Sequence, residues 1–152
     1  MKILIAAFLV LCSATCFAQS DQQLKAQVSK IPRGTKTIIL TLDSTRSSKD
    51  LLAQLVSHII DKGYEVDNMN SELGMIQTKE KNVKFTWSAR FTFLLTNNNR
   101  LKIKGKSIQQ LDHDFVHDIE NKGALGDMYV YTFREMVRVS NGIPNQGIEY
   151  SK

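Results

Sequence analysis

Two stretches of the sequence combine residue types and spacings able to do chemistry. The first is Asp112-His113-Asp114-Phe115-Val116-His117-Asp118. If this segment is helical, His113 and His117 stand one turn apart on one face with Asp114 and Asp118 beside them, a set able to hold a divalent metal. No glutamate lies between the histidines, where zinc proteases carry their general base. Two imidazoles without a clear third ligand and its supporting hydrogen bonds also make a weak site. The competing reading is a polar connection between the last strand and the last helix.

The second stretch is basic. If Thr96 faces Arg100 across a turn, then Thr92 stands opposite Lys104 and Arg90 opposite Lys106 on the solvent face of one hairpin. Lys102 and Lys84 extend the same surface. Like charges directly opposed on a sheet are mildly destabilising, so an anionic glycan, a lipid headgroup or an acidic envelope protein is one way to account for them. The alternative is that exposed lysines keep a sheet soluble and discourage edge pairing.

Other chemistry is thinner. His58 falls off the apolar stripe of its helix, beside Asp61, and reads as a surface residue. Trp87 and the phenylalanines that follow it could line a ligand cavity, yet their strict alternation is what a plain core requires. No serine sits in a nucleophile elbow and no glycine-rich loop follows a strand to cradle phosphate. No catalytic residue and no cofactor are expected from these patterns.

The elements that must position the two candidate sites are legible. Thr35 to Leu42, with alternating Ile38, Leu40 and Leu42, reads as a first strand. Leu51, Leu52, Leu55, Val56, Ile59 and Ile60 form the stripe of an amphipathic helix. Ser47 or Ser48 can cap it, Asp50 suits its positive end, and Gly63 can end it in the left-handed conformation.

Tyr64 to Asn70 and Leu73 to Lys81 read as two further strands. Val83, Phe85, Trp87, Ala89, Phe91, Phe93 and Leu95 occupy every odd position of a long strand with one dry face. At about 3.3 Å per residue it would run about 43 Å, which requires it to bend or twist. The three asparagines between Thr96 and Arg100 suit a tight turn, and Leu101, Ile103 and Ile108 mark the returning strand. That register sets Phe91 over Gly105, an aromatic ring on a glycine gap.

Tyr129, Phe133, Met136 and Val137 share a helical face between Asp127 and Ser140, and Gly142 and Pro144 stop it. The order β-α-β-β-β-β-α predicts an α+β fold, a curved antiparallel sheet with helices on one face. The domain spans residues 35–142, after a polar segment over 19–34 and before a C-terminal tail over 143–152.

The first residues speak to compartment. Met1-Lys2, the apolar run Ile3 to Leu11, and Cys16-Phe17-Ala18 before Gln19 match a signal peptide over residues 1–18. A lipid anchor would need Cys16 to be acylated, and Thr15 is a poor residue before it. An exported chain, periplasmic or extracellular, is expected. Cys12 and Cys16 both leave with the signal, so disulfides and cysteine chemistry leave with them. Nothing later approaches the about 20 apolar residues of a spanning helix. The formal charge of +5 keeps the chain basic and favours weak anionic partners without specifying the fold.

The stretches Lys36-Thr37-Ile38, Leu51-Leu52, Lys62-Gly63-Tyr64-Glu65-Val66 and Gly74-Met75-Ile76-Gln77-Thr78 carry a resemblance. With the element order, they resemble the TATA-binding-protein-like or helix-grip architecture, as in the BamC family of outer-membrane assembly lipoproteins and in secreted Bacteroidetes proteins of unknown function. The resemblance implies architecture more than activity. Proteins of the TATA-binding fold wedge aromatic residues into DNA. Here the aromatic residues alternate onto the dry face and the chain is exported, so no nucleic acid is expected as a partner.

Overall fold

The computed structural model describes residues 21–123 and 129–152, with Asp112, His113, Asp114 and Tyr129 described by their backbone. The segment read as a signal peptide lies outside the described residues, as do Asp127 and Met128 at the expected start of the last helix. The chain opens with helix α1 over residues 21–30. It continues through β1 Thr37–Thr41, α2 Ser48–Asp61, β2 Val66–Asn70, β3 Met75–Thr78 and β4 Lys81–Lys84. There follow β5 Trp87–Leu95, β6 Arg100–Gln109, β7 Asp112–Asp118, α3 Tyr129–Ser140 and β8 Gly147–Ser151.

The α+β class is as read. All strand pairs are antiparallel and join in one eight-stranded sheet ordered β2-β3-β5-β6-β1-β8. β4 follows β3 along the edge of β5, and β7 follows β1 along the edge of β6.

The hairpin β5–β6 is the spine of the sheet, and its register is the one expected from the sequence. Thr96 N–H donates to Arg100 C=O at 2.9 Å, and Asn99 takes the left-handed conformation with φ 52°, which asparagine tolerates best among residues with a Cβ. Phe91 then opposes Gly105, Thr92 opposes Lys104 and Arg90 opposes Lys106. Ala89, Phe91, Phe93 and Leu95 share the inner face with Leu101 and Ile103, and all are buried.

The helices close that inner face. Ser47 Oγ caps α2 by accepting from Asp50 N–H at 3.2 Å, and Gly63 follows its last turn at φ +76°. Leu51, Leu52, Leu55 and Ile59 face inward, with Val56 partly buried against the core and Ile60 exposed. From α3, Phe133, Met136 and Val137 join the same core. Fully burying each such side chain is worth about 1.5–3 kcal/mol, so the dry face holds the helices to the sheet.

Four expectations need correction. The polar segment expected over 19–34 contains a helix: residues 21–30 are helical, and Val28 and Ile31 enter the core. The tail over 143–152 contains β8, whose Ile148, Glu149 and Tyr150 pair with Leu40, Ile39 and Ile38. The long strand from Val83 is broken by a tight turn at Phe85-Thr86, so Phe85 is 70% exposed instead of buried. The segment Asp112–Asp118 is a strand, β7, because β6 extends past β1 and its free edge needs a partner.

Candidate functional site

The face of the sheet opposite the helices carries no layer from the three described helices, and its residues come from the even positions of β5 and β6. Arg90, Lys104 and Lys106 are exposed, and Lys102 is half-buried between Leu94 of β5 and Ile39 of β1 in the cross-strand row. Lysine can lay its stem along apolar neighbours and keep its ammonium in water. The four cations therefore share one face.

Acids occupy part of it. Lys106 Nζ lies 2.7 Å from Asp118 Oδ1. That hydrogen bond, joined by the charges of Lys106, Lys36 and Lys104, outweighs desolvation and holds the Asp118 carboxyl below the usual carboxylate range. Arg100 pairs with Glu149, and Lys36 reaches Glu120 at 3.8 Å. Among the described residues, no acid lies within ion-pair distance of Arg90, Lys102 or Lys104.

Lys84 does not extend this surface. A register shift between Asn82 and Lys84 precedes the Phe85-Thr86 turn. Lys84 Nζ sits 4.1 Å from the centroid of the Tyr131 ring on α3 and 5.3 Å from that of Phe85. It belongs with the helical layer, held by the negative ring face.

The metal arrangement expected of His113 and His117, with Asp114 and Asp118, depended on a helix. In β7 the ladder steps from the Gln109–Asp112 pair straight to the Ile108–Val116 pair, so residues 113–115 bulge out of the strand and the one-turn helical spacing of His113 and His117 is replaced by a bulge. Asp118 is committed to Lys106, and the Phe115 ring stands edge-on to His117 at 4.1 Å. The side chains of His113 and Asp114 lie outside the described residues; among those described, no group of three or more His, Cys, Asp and Glu converges to hold a metal.

His58 is not a free surface residue, for its Nε2 lies 2.8 Å from Val139 C=O and ties α2 to α3. Crevices lie along the helical layer. One of about 130 Å³ is lined by Val28, Ile31, Arg33, Asn121 and Arg134.

Sequence reasoning missed two neighbouring loops. Phe85-Thr86 joins β4 to β5 and Gln110-Leu111 joins β6 to β7, and the two loops are hydrogen-bonded to each other: Gln110 N–H donates to Thr86 C=O at 2.7 Å. Alternation carried through Val83, Phe85 and Trp87 hid the first loop. The sparse polarity of Gln109-Gln110 was the one sign of the second.

No protein-family model matches the chain, and no curated protein does. The described residues form an α+β domain with one sheet face covered by helices and, on the other, a basic row at Arg90, Lys102, Lys104 and Lys106.

Proposed function

We propose that the protein is a non-enzymatic, exported binding or assembly module that takes an anionic envelope component on its open sheet face. The observation that supports this most is the trio Arg90, Lys102 and Lys104, gathered by the β5–β6 register onto one surface with no acid at ion-pair distance among the described residues. Like charges placed side by side cost free energy, and a polyanion laid across them would recover it. The resemblance to helix-grip domains agrees with a role in partner binding, and a partner in the periplasm or outside the cell agrees with the expected signal peptide.

Retention on a soluble polyanion, such as inorganic polyphosphate, tests this at low and moderate salt. Exposed charges are screened within about 8–10 Å at physiological salt, so retention should fall as salt rises. Arg90→Gln/Lys102→Gln/Lys104→Gln should abolish it. Retention of this variant equal to that of the parent overturns the reading.

A further inference from the structure

The crevice of about 130 Å³ between α1, the turn that follows it and α3 is lined unlike a plain packing gap. Val28, Ile31 and Val130 give it an apolar side, whereas Lys25, Arg33 and Arg134 bring three cations and no described acid lines it. Lys25 Nζ lies 2.9 Å from Asp21 Oδ2 and is thereby neutralised. Among the described residues, no acid lies within ion-pair distance of Arg33 or Arg134.

Arg33 is exposed, yet the backbone around it is tied down. Asn121, only 3% exposed, donates from Nδ2 to Ile31 C=O at 2.8 Å and accepts at Oδ1 from Gly123 N–H at 3.1 Å. Its own backbone accepts from Gly34 N–H at 2.8 Å and donates to Thr35 C=O at 2.9 Å. These bonds knot the turn carrying Arg33 to the chain beyond β7. A Cβ on Gly123 would come within 2.6 Å of Arg33 Nε and 3.0 Å of its Cζ, so the guanidinium lies against bare backbone at a residue whose φ of +92° already favours glycine. A charged group supported in this way has less freedom to lose on binding.

Arg134 comes from α3. Its guanidinium carbon lies 5.7 Å from the centroid of the Tyr131 ring, and its Nε is buried with no hydrogen-bond partner among the described residues. Buried donors are ordinarily satisfied, and a guanidinium presents its N–H groups as a planar fork that matches a carboxylate.

We infer that the crevice binds a small organic acid, with its carboxylate at Arg33 and Arg134 and its short hydrocarbon body against Val28, Ile31 and Val130. Volume sets the size, since a cavity of about 150 Å³ takes a benzene ring and a chain of about five carbons suits this slightly smaller one. Inorganic phosphate would meet the cations and leave the apolar side uncovered. An alcohol of the same length would cover the apolar side and leave both charges unmatched. The crevice belongs to the helical layer, and Arg90, Lys102 and Lys104 belong to the opposite face, so the inference stands apart from the anion-binding reading of the sheet.

Titration calorimetry with pentanoate, pentanol and inorganic phosphate, at one ionic strength, tests it. Pentanoate should bind one to one, and pentanol and phosphate should bind at least about tenfold more weakly. Arg33→Gln/Arg134→Gln should weaken pentanoate binding by about tenfold or more and leave polyphosphate retention unchanged. Amide NMR of the parent chain supplies a reading that needs no variant: pentanoate should shift the Val28 and Gly123 signals and spare those of Arg90 and Lys104. Shifts confined to Arg90 and Lys104 would assign the acid to the open face and overturn the crevice. Pentanol or phosphate binding as tightly as pentanoate overturns the organic-acid assignment. No pentanoate binding at about 10 mM overturns the inference, whether or not polyphosphate is retained.

Discussion

The Tyr64 hydroxyl donates to Glu135 Oε1 at 2.8 Å, joining the residue just beyond α2 to the middle of α3. Glu135 also accepts from Arg138 Nε and Nη2 at 2.6 and 2.5 Å, and Lys81 Nζ lies 4.4 Å from the centroid of the Tyr64 ring. Burial and the neighbouring Glu135 charge push the tyrosine hydroxyl far above its ordinary range, so it remains a donor.

Glu135 makes the fold acid-sensitive. Desolvation pushes its carboxyl up, but hydrogen bonds from Arg138 and Tyr64, with the charges of Arg138 and Lys81, prevail and the net shift is downward. A carboxylate lowered in the folded state contributes fully above its unfolded value, about 4.3, and that contribution is lost as pH falls through the folded value. Urea unfolding across this range should show stability declining below about pH 4.3. Glu135→Gln should cost about 1–3 kcal/mol at neutral pH and flatten that decline. An equal decline in the variant would assign acid sensitivity elsewhere.

Gly105 is required by close packing. A Cβ there would come within 2.6 Å of Ile119 Cδ1 and 2.9 Å of Phe91 Cδ1. Gly105→Ala should destabilise by about 1–3 kcal/mol through overpacking. Shortening the neighbour with Ile119→Val in the same chain should recover part of the loss, measured as non-additivity in a double-mutant cycle.

Lys84 and Lys104 should behave differently although both are exposed lysines. Lys84→Met should leave polyphosphate retention intact and cost about 0.5–1 kcal/mol from its aromatic contact. Lys104→Met should weaken retention and leave stability within about 0.5 kcal/mol of the parent. Equal losses of retention would place both on one binding surface.

A chain ending at Gln146 should unfold at lower temperature and aggregate more readily. It lacks β8, whose removal bares the outer edge of β1, and an open edge strand pairs with other chains. Light scattering during thermal unfolding reads both effects.

Legibility followed the strength of local pattern. The β5–β6 register was readable because the asparagine turn fixes it, and the basic trio came with it. The α2 stripe was readable because four of its six apolar positions are buried and recur at helical spacing. Helix α1 was hidden because Leu24 and Val28, with Ile31 just past its end, are sparse apolar marks in a polar run, although their spacing of four and three fits a helix. β8 was masked by Pro144 and Gly147, which resemble a chain end. Lys84 was misplaced because a two-residue loop can preserve odd–even alternation across a change of strand. β7 was obscured by the irregular pairing around residues 113–115, which breaks the period that identifies a strand.

The sheet order also sets when the fold can form. β5 and β6 are neighbours in sequence and can pair early, whereas β1 must find β8 at the far end, Thr37 against Ser151. Contacts of such separation come at the expense of loop-closure entropy and slow folding. Synthesis has to reach Gly147–Ser151 before β1 gains its second neighbour. A chain still emerging from the ribosome therefore carries an unfinished sheet, with the outer edge of β1 unpaired until its last residues are free to fold.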